Sequence, residues 1–235
     1  MLLTMNDKPI KRIAVVNDSA AARDEMADSL IEVGFQPVIQ TSQISSIDEC
    51  IRLVTNKADA AILEHHFKSA HYANFMGAEA VAQLYRQHFP SLLVTAWADA
   101  DIDNIRPFRR QIPVLIKSSE AYPEKITQGF KQCLNEFENR YSPTRKPWRT
   151  LVRIEDINRN HDKPMVYAVI PGWEPDDVVR FPLVIFPEEL RQRVVPGARF
   201  FAKVNIAATH HDELYFEDFE VLEKPRGQYA KFLRS

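Results

Sequence analysis

Glycine is scarce in this chain, with 6 among 235 residues, and cysteine is scarcer still, with 2. So few glycines leave little material for loops that cradle phosphates, and neither a Gly-rich phosphate loop nor a Walker lysine is present. The two cysteines, Cys50 and Cys133, allow one bridge at most. Both fall in helix-like segments, and reduced, buried thiols are the expectation. No apolar run approaches the length of a membrane span, and Met1–Asp7 lacks both a charged n-region and an apolar core of useful length. A cytoplasmic protein with no membrane association is therefore expected. Charge of one sign is also missing. The formal net charge is −2, and split after Arg140 the chain holds 15 Lys+Arg against 18 Asp+Glu, then 15 against 14. Neither part is the basic module that nucleic acid selects. No Ser/His/Asp set and no Cys pair occurs, so the chain reads as non-enzymatic.

The chain is long enough for two modest cores, and its hydrophobic fraction of 45% with 26% charged residues is that of an ordinary globular protein. The first part is organised around Asp59-Ala60-Ala61-Ile62-Leu63-Glu64, an apolar run that stops at a carboxylate. Such runs suit strands buried on both faces of a parallel sheet. Three others end on polar residues in the same way: Ile13–Val16 at Asn17-Asp18, Leu92–Val94 at Thr95, and Val114–Ile116 at Lys117. Phe35–Ile39 reads as a further strand. Helical periodicity separates the runs, from the Asn17-Asp18-Ser19 caps to Val33, from Ser45 through Val54, over Gly77–Phe89 and over Pro123–Glu138. Trp97–Pro107 reads as an acidic loop or weak helix. Five alternations predict a doubly wound, five-stranded parallel sheet over residues 11–139, after a leader of residues 1–10. Open sheets of this kind carry ligands beyond the C-terminal ends of their strands, which gathers Asn17, Asp18, Glu64, Thr95 and Lys117 at one edge.

After a proline-bearing linker over 140–148 the pattern changes. Leu151–Ile157, Met165–Ile170, Val178–Ile185, Arg199–Ile206 and Leu214–Leu222 read as strands, and only Pro187–Val194 looks helical. Residues 149–225 are thus expected to form a small β-barrel-like domain with one short helix, followed by a tail over 226–235.

On the four motifs Asn17-Asp18, Glu64, Thr95-Ala96 and Lys117, taken in order along the chain, residues 11–137 resemble the receiver domain of two-component response regulators. The resemblance implies the doubly wound fold and a role in signal transduction or a phosphorelay. It further implies an acidic pair after the first strand for Mg²⁺, a phosphoaccepting Asp after the third, and a hydroxyl and a lysine for the phosphoryl oxygens. The chain departs from that pattern at telling places. Glu64 stands where the Asp belongs, and its extra methylene displaces the carboxylate by about a C–C bond length, which in-line phosphoryl transfer tolerates poorly. Asn17 removes one charge and leaves a cation Asp18 and Glu64 at most, a weak Mg²⁺ site. Val114 occupies the aromatic switch position, Ser118 replaces the usual Pro after the Lys, and the Glu64–Gly77 connection is long. A pseudo-receiver results, with Glu64 expected to bond Lys117 or Thr95 permanently. That cluster reads either as a leftover ion-pair network or as a constitutive on-state.

His65, His66 and His71 lie beside Glu64. Adjacent histidines after a strand are expected to point to opposite sides, so a solvated loop is the reading for them, as for His210-His211. Arg145-x-x-x-Arg149 is similar to the opening of PilZ domains, but the companion segment at Asn205–His210 lacks its glycine, and a basic linker is expected. Trp148, Trp173 and Phe181 lie near turns or edges and are read as anchors for a protein partner or as closures of the small barrel. The functional expectation is an adaptor: a pseudo-receiver coupled to a β-rich protein-interaction domain, with self-association through the receiver face among its modes. The alternatives are a DNA-binding response regulator with an atypical β output domain and a receiver that is still phosphorylated.

Overall fold

A computed structural model of the protein describes residues 3–5, 8–67, 72–160 and 162–222. The chain divides into two compact units, Met1–Arg145 and Lys146–Ser235.

The first unit opens with two short paired strands, β1 (Thr4–Met5) and β2 (Lys8–Pro9), antiparallel to each other. Its body is a five-stranded parallel sheet of β3 (Arg12–Val16), β4 (Gln36–Gln40), β5 (Ala60–Leu63), β6 (Ser91–Thr95) and β7 (Leu115–Lys117). The spatial order is β4-β3-β5-β6-β7. The apolar runs become strands because a sheet covered on both faces asks for side chains that bury either way, and β5 and β6 are buried at every position. Pro37 sits in β4, at an edge, where a missing N–H is tolerated.

Helices α1 (Ala20–Glu32), α2 (Ile47–Lys57), α3 (Gly77–Arg86), α4 (Ile102–Ile105) and α5 (Pro123–Phe137) complete the unit. Ser19 and Ser46 cap α1 and α2 by accepting from Ala22 N and Glu49 N, and Pro123 fills the first turn of α5. The sheet separates two cores. Ala14, Val16, Leu63 and Leu93 face one, with Cys50, Val81 and Leu84; Ile13, Val15, Ile62 and Leu92 face the other, with Phe130 and Cys133. The cysteines are free, buried and on opposite sides of the sheet, so no bridge joins them.

Trp97–Pro107 is more ordered than its sequence pattern implies. Asp101 precedes the short α4, which runs into a 3-10 segment, Arg106–Gln111, that buries Arg106 and Arg109. The basic linker reading is corrected as well. Arg145 is buried: its Nε donates to Glu136 Oε1 at 2.8 Å, and its Nη atoms donate to Arg109 O at 3.0 Å and Arg110 O at 2.9 Å. Glu136 on α5 is fully buried, and a charge there stands only if a partner follows it inward.

The second unit is an antiparallel sheet of β8 (Trp148–Asn158), β9 (Met165–Ile170), β10 (Glu174–Pro182), β11 (Arg199–Val204) and β12 (Phe216–Val221), ordered β10-β9-β8-β11-β12. The expected helix over Pro187–Val194 is a 3-10 segment, Glu188–Arg193. Alternation sends Val152, Ile154, Phe200, Ala202 and Val204 into one core. Among the described residues no ladder joins the end strands β10 and β12. The sheet curls instead until Phe181 and Phe216 meet with ring centroids 4.4 Å apart, and Phe186 and Phe219 lie 4.0 Å apart beside them. Aromatic packing gives the unit its barrel-like character. Among the described residues no helix is long and apolar enough to cross a membrane.

Candidate functional site

The C-terminal edge of the parallel sheet collects the five residues singled out from the sequence, each a step beyond or at the end of its strand. Val16 ends β3, and Asn17 follows with its Oδ1 accepting from Ser19 N at 2.8 Å. That bond shapes the turn into α1, and Arg23 adds a 2.6 Å bond from its guanidinium to Asn17 O. Asp18 is partly exposed beside it. Glu64 follows β5, anchored by its own N–H to Val16 O at 2.9 Å. Thr95 ends β6, fully buried, and its Oγ1 accepts from Trp97 N at 3.1 Å. Lys117 ends β7 with its Nζ 2.6 Å from Asp99 Oδ2, both side chains well exposed.

Glu64 does not behave as expected. In place of a pair with Lys117 or Thr95, its Oε1 turns back to its own backbone and accepts from His65 N at 2.7 Å and His66 N at 3.4 Å. Two successive N–H groups thus converge on one oxygen, and the side chain that precedes them satisfies both. A cavity of about 60 Å³ lies alongside, lined by Asn17, Glu25, Ser29, Ile62, Glu64 and Ser118 among others. Val114, at the switch position, is buried and packs toward Gly129 on α5.

The largest departure from the sequence reading concerns the histidines. His65 and His66 do not diverge; both Nε2 atoms approach Asp101 Oδ2, at 3.0 and 2.7 Å. The chain leaves extended geometry after Leu63, so the strand rule of alternate sides no longer governs these two residues. His65 is fully buried. Its Nδ1 accepts from Ala78 N at 3.3 Å, at the start of α3, which leaves the ring proton on Nε2 facing Asp101. Burial lowers the His65 pKa, outweighing the hydrogen bond that His65 donates to Asp101, and so favours the neutral ring. Asp101 Oδ1 accepts from Asn104 at 2.5 Å, and His66 packs edge-on against Trp97 with centroids 5.6 Å apart. His71 lies outside the described residues. His210 and His211 are exposed in a turn, as expected.

In the second unit the three residues read as anchors or as barrel closures part ways. Trp148 is about half exposed, with Lys146 Nζ 4.4 Å from its ring centroid. Trp173 is partly buried and donates from Nε1 to Ala208 O at 2.8 Å, closing one end of the sheet. Phe181 is fully buried among the core aromatics and offers no surface to a partner. Its place on an inward-facing register position of β10, opposite Val166, decides this.

No family model matches the chain, and no curated protein matches it. Among solved structures the chain is similar to a response regulator receiver domain protein from Clostridium thermocellum, at 13% identity and a TM-score of 0.42, over 55% of this chain and 98% of the other. A CheY-like receiver domain protein from Methanospirillum hungatei is similar at 19% identity and TM-score 0.42, over 55% of this chain and 98% of that one. The signal receiver domain of a modulated diguanylate cyclase from Desulfovibrio desulfuricans is similar at 14% and 0.44, again over 55% and 98%. The first unit's own strand order, β4-β3-β5-β6-β7, is the doubly wound order of a flavodoxin-like sheet.

Proposed function

We propose that this chain is a non-catalytic signalling regulator, a pseudo-receiver coupled to a β-rich protein-interaction unit. The observation that carries the reading is the Glu64 carboxylate on the His65 and His66 N–H groups. A phosphoryl group on this residue would have to take those donors from the carboxylate. The rest of the edge is also engaged: Lys117 with Asp99, and Thr95 with the backbone of Trp97. A site satisfied by its own side chains reports a fixed state. The output is then recognition of a protein partner, for which the exposed Trp148 is the aromatic anchor in the second unit. A Mg²⁺ ion at Asp18 and Glu64 would be held weakly, by two carboxylates that lack the first acid of the usual pair.

The test is titration with Mg²⁺ and beryllofluoride, read by amide shifts and thermal melting, on the wild type and Glu64→Asp. The wild type is expected to stay silent toward beryllofluoride at any Mg²⁺ concentration. Glu64→Asp, which restores the phosphoaccepting side chain of the receiver pattern at the end of β5, is expected to respond. A wild-type response would return the chain to ordinary phosphoryl signalling.

A further inference from the structure

We propose that His65, His66 and Asp101 form a binding site for a late first-row divalent cation, with Zn²⁺ as the reference ion. One nitrogen of each ring and one carboxylate oxygen of Asp101 lie within 4.8 Å of one another. A tetrahedral ion bound at about 2.0–2.1 Å separates its ligand atoms by about 3.3 Å. The Nε2–Oδ2 separations of 3.0 and 2.7 Å therefore need to open by about 0.3 and about 0.6 Å. Two imidazoles and one carboxylate select Zn²⁺, Co²⁺ or Ni²⁺ over Mg²⁺ or Ca²⁺, which prefer oxygen throughout. Part of the framework is built in advance. His65 is held in the core by the close approach of α3, and Asn104 orients the Asp101 carboxylate as an outer partner should. His66 and Asp101 are partly exposed, which leaves solvent a path to the remaining coordination position.

Binding has a definite cost. With Nδ1 of His65 accepting from Ala78 N, the proton rests on Nε2, where the ion must bind. That proton moves to Nδ1, and the Ala78 hydrogen bond, already long at 3.3 Å, is given up. The His65 ring keeps its one proton through this exchange. The bound ion would clamp the turn after β5 to the loop between β6 and α4. This site is separate in chemistry from the Glu64 carboxylate, and its failure leaves the pseudo-receiver reading standing.

The experiment uses the chelator-treated full chain, with Zn²⁺ followed by calorimetry and Co²⁺ by visible absorption. One equivalent is expected to bind, and the Ala78 amide resonance is expected to shift as its hydrogen bond opens. His66→Gln and Asp101→Asn, both at partly exposed positions, should each weaken binding by at least about tenfold. No uptake by the wild type would overturn the proposal and leave a hydrogen-bonded latch. Uptake unchanged in both variants would overturn it too, and would send the ion to another group such as the His210-His211 turn.

Discussion

Gly77 lies so close to Glu64 that a Cβ on the glycine would stand 1.8 Å from the Glu64 carbonyl oxygen. The neighbour is backbone and cannot swing aside. This approach lets Gly77 N reach His65 O at 2.9 Å and brings the start of α3 to His65. Gly77→Ala must push α3 away from the strand end. We expect a loss of about 3 kcal/mol of stability, in the range of overpacked sites, with a lower midpoint and an unchanged slope in urea unfolding.

The Arg145–Glu136 pair supplies a second prediction. Removing one partner leaves the other charge buried, which costs about 3–5 kcal/mol, whereas replacing both with apolar groups is often near neutral. Arg145→Met is expected to destabilise the first unit strongly, and the double variant with Glu136→Met to recover most of the loss. A double variant no more stable than Arg145→Met would show that the bonds to Arg109 O and Arg110 O matter more than the charge.

Thiol chemistry offers a third. Burial pushes Cys50 and Cys133 up to about 12. Both thiols stay protonated in the native state at pH 8, so neither should react with a thiol-specific reagent until the chain is unfolded, when two groups per chain become reactive. The sign for stability follows. Because the folded value lies above that of the unfolded chain, the fold loses stability as pH rises past the unfolded thiol pKa of about 8.5. Rapid labelling of either cysteine in the native protein would contradict its burial.

Asp59 governs the acid limb. Burial pushes its pKa up, but hydrogen bonds from the Arg12 side chain and from the Arg12 and Lys11 backbone outweigh this and hold it below the usual carboxylate range. The stabilisation is therefore present above the unfolded pKa and is lost as pH falls through the folded one. Asp59→Asn should cost about 1 kcal/mol at neutral pH, after allowing for solvent screening of this partly exposed group. The gap to wild type should shrink in melts taken at progressively lower pH.

What the sequence determined by itself is the frame. Runs such as Ala60–Leu63 and Ser91–Thr95 can be buried only on both faces, and Ser46 and Pro123 are strong local helix starts, so the parallel sheet and most of its helices are readable from neighbours a few residues apart. The placement of Asn17, Asp18, Glu64, Thr95 and Lys117 along one edge follows from the same pattern. The tertiary structure alone decided what those side chains touch. His65 and His66 meet Asp101 across 36 and 35 residues, and Arg145 follows Glu136 into the interior because α5 and the 3-10 segment bring their groups together there. Phe181 read equally as an edge anchor or as a closure of the small barrel, and the curl of the sheet decided it by putting Phe216 against it. Periodicity records which face of an element is apolar. It carries no information on how the backbone turns after the last paired residue, nor on which distant group will arrive to satisfy a buried charge, and both are settled by packing.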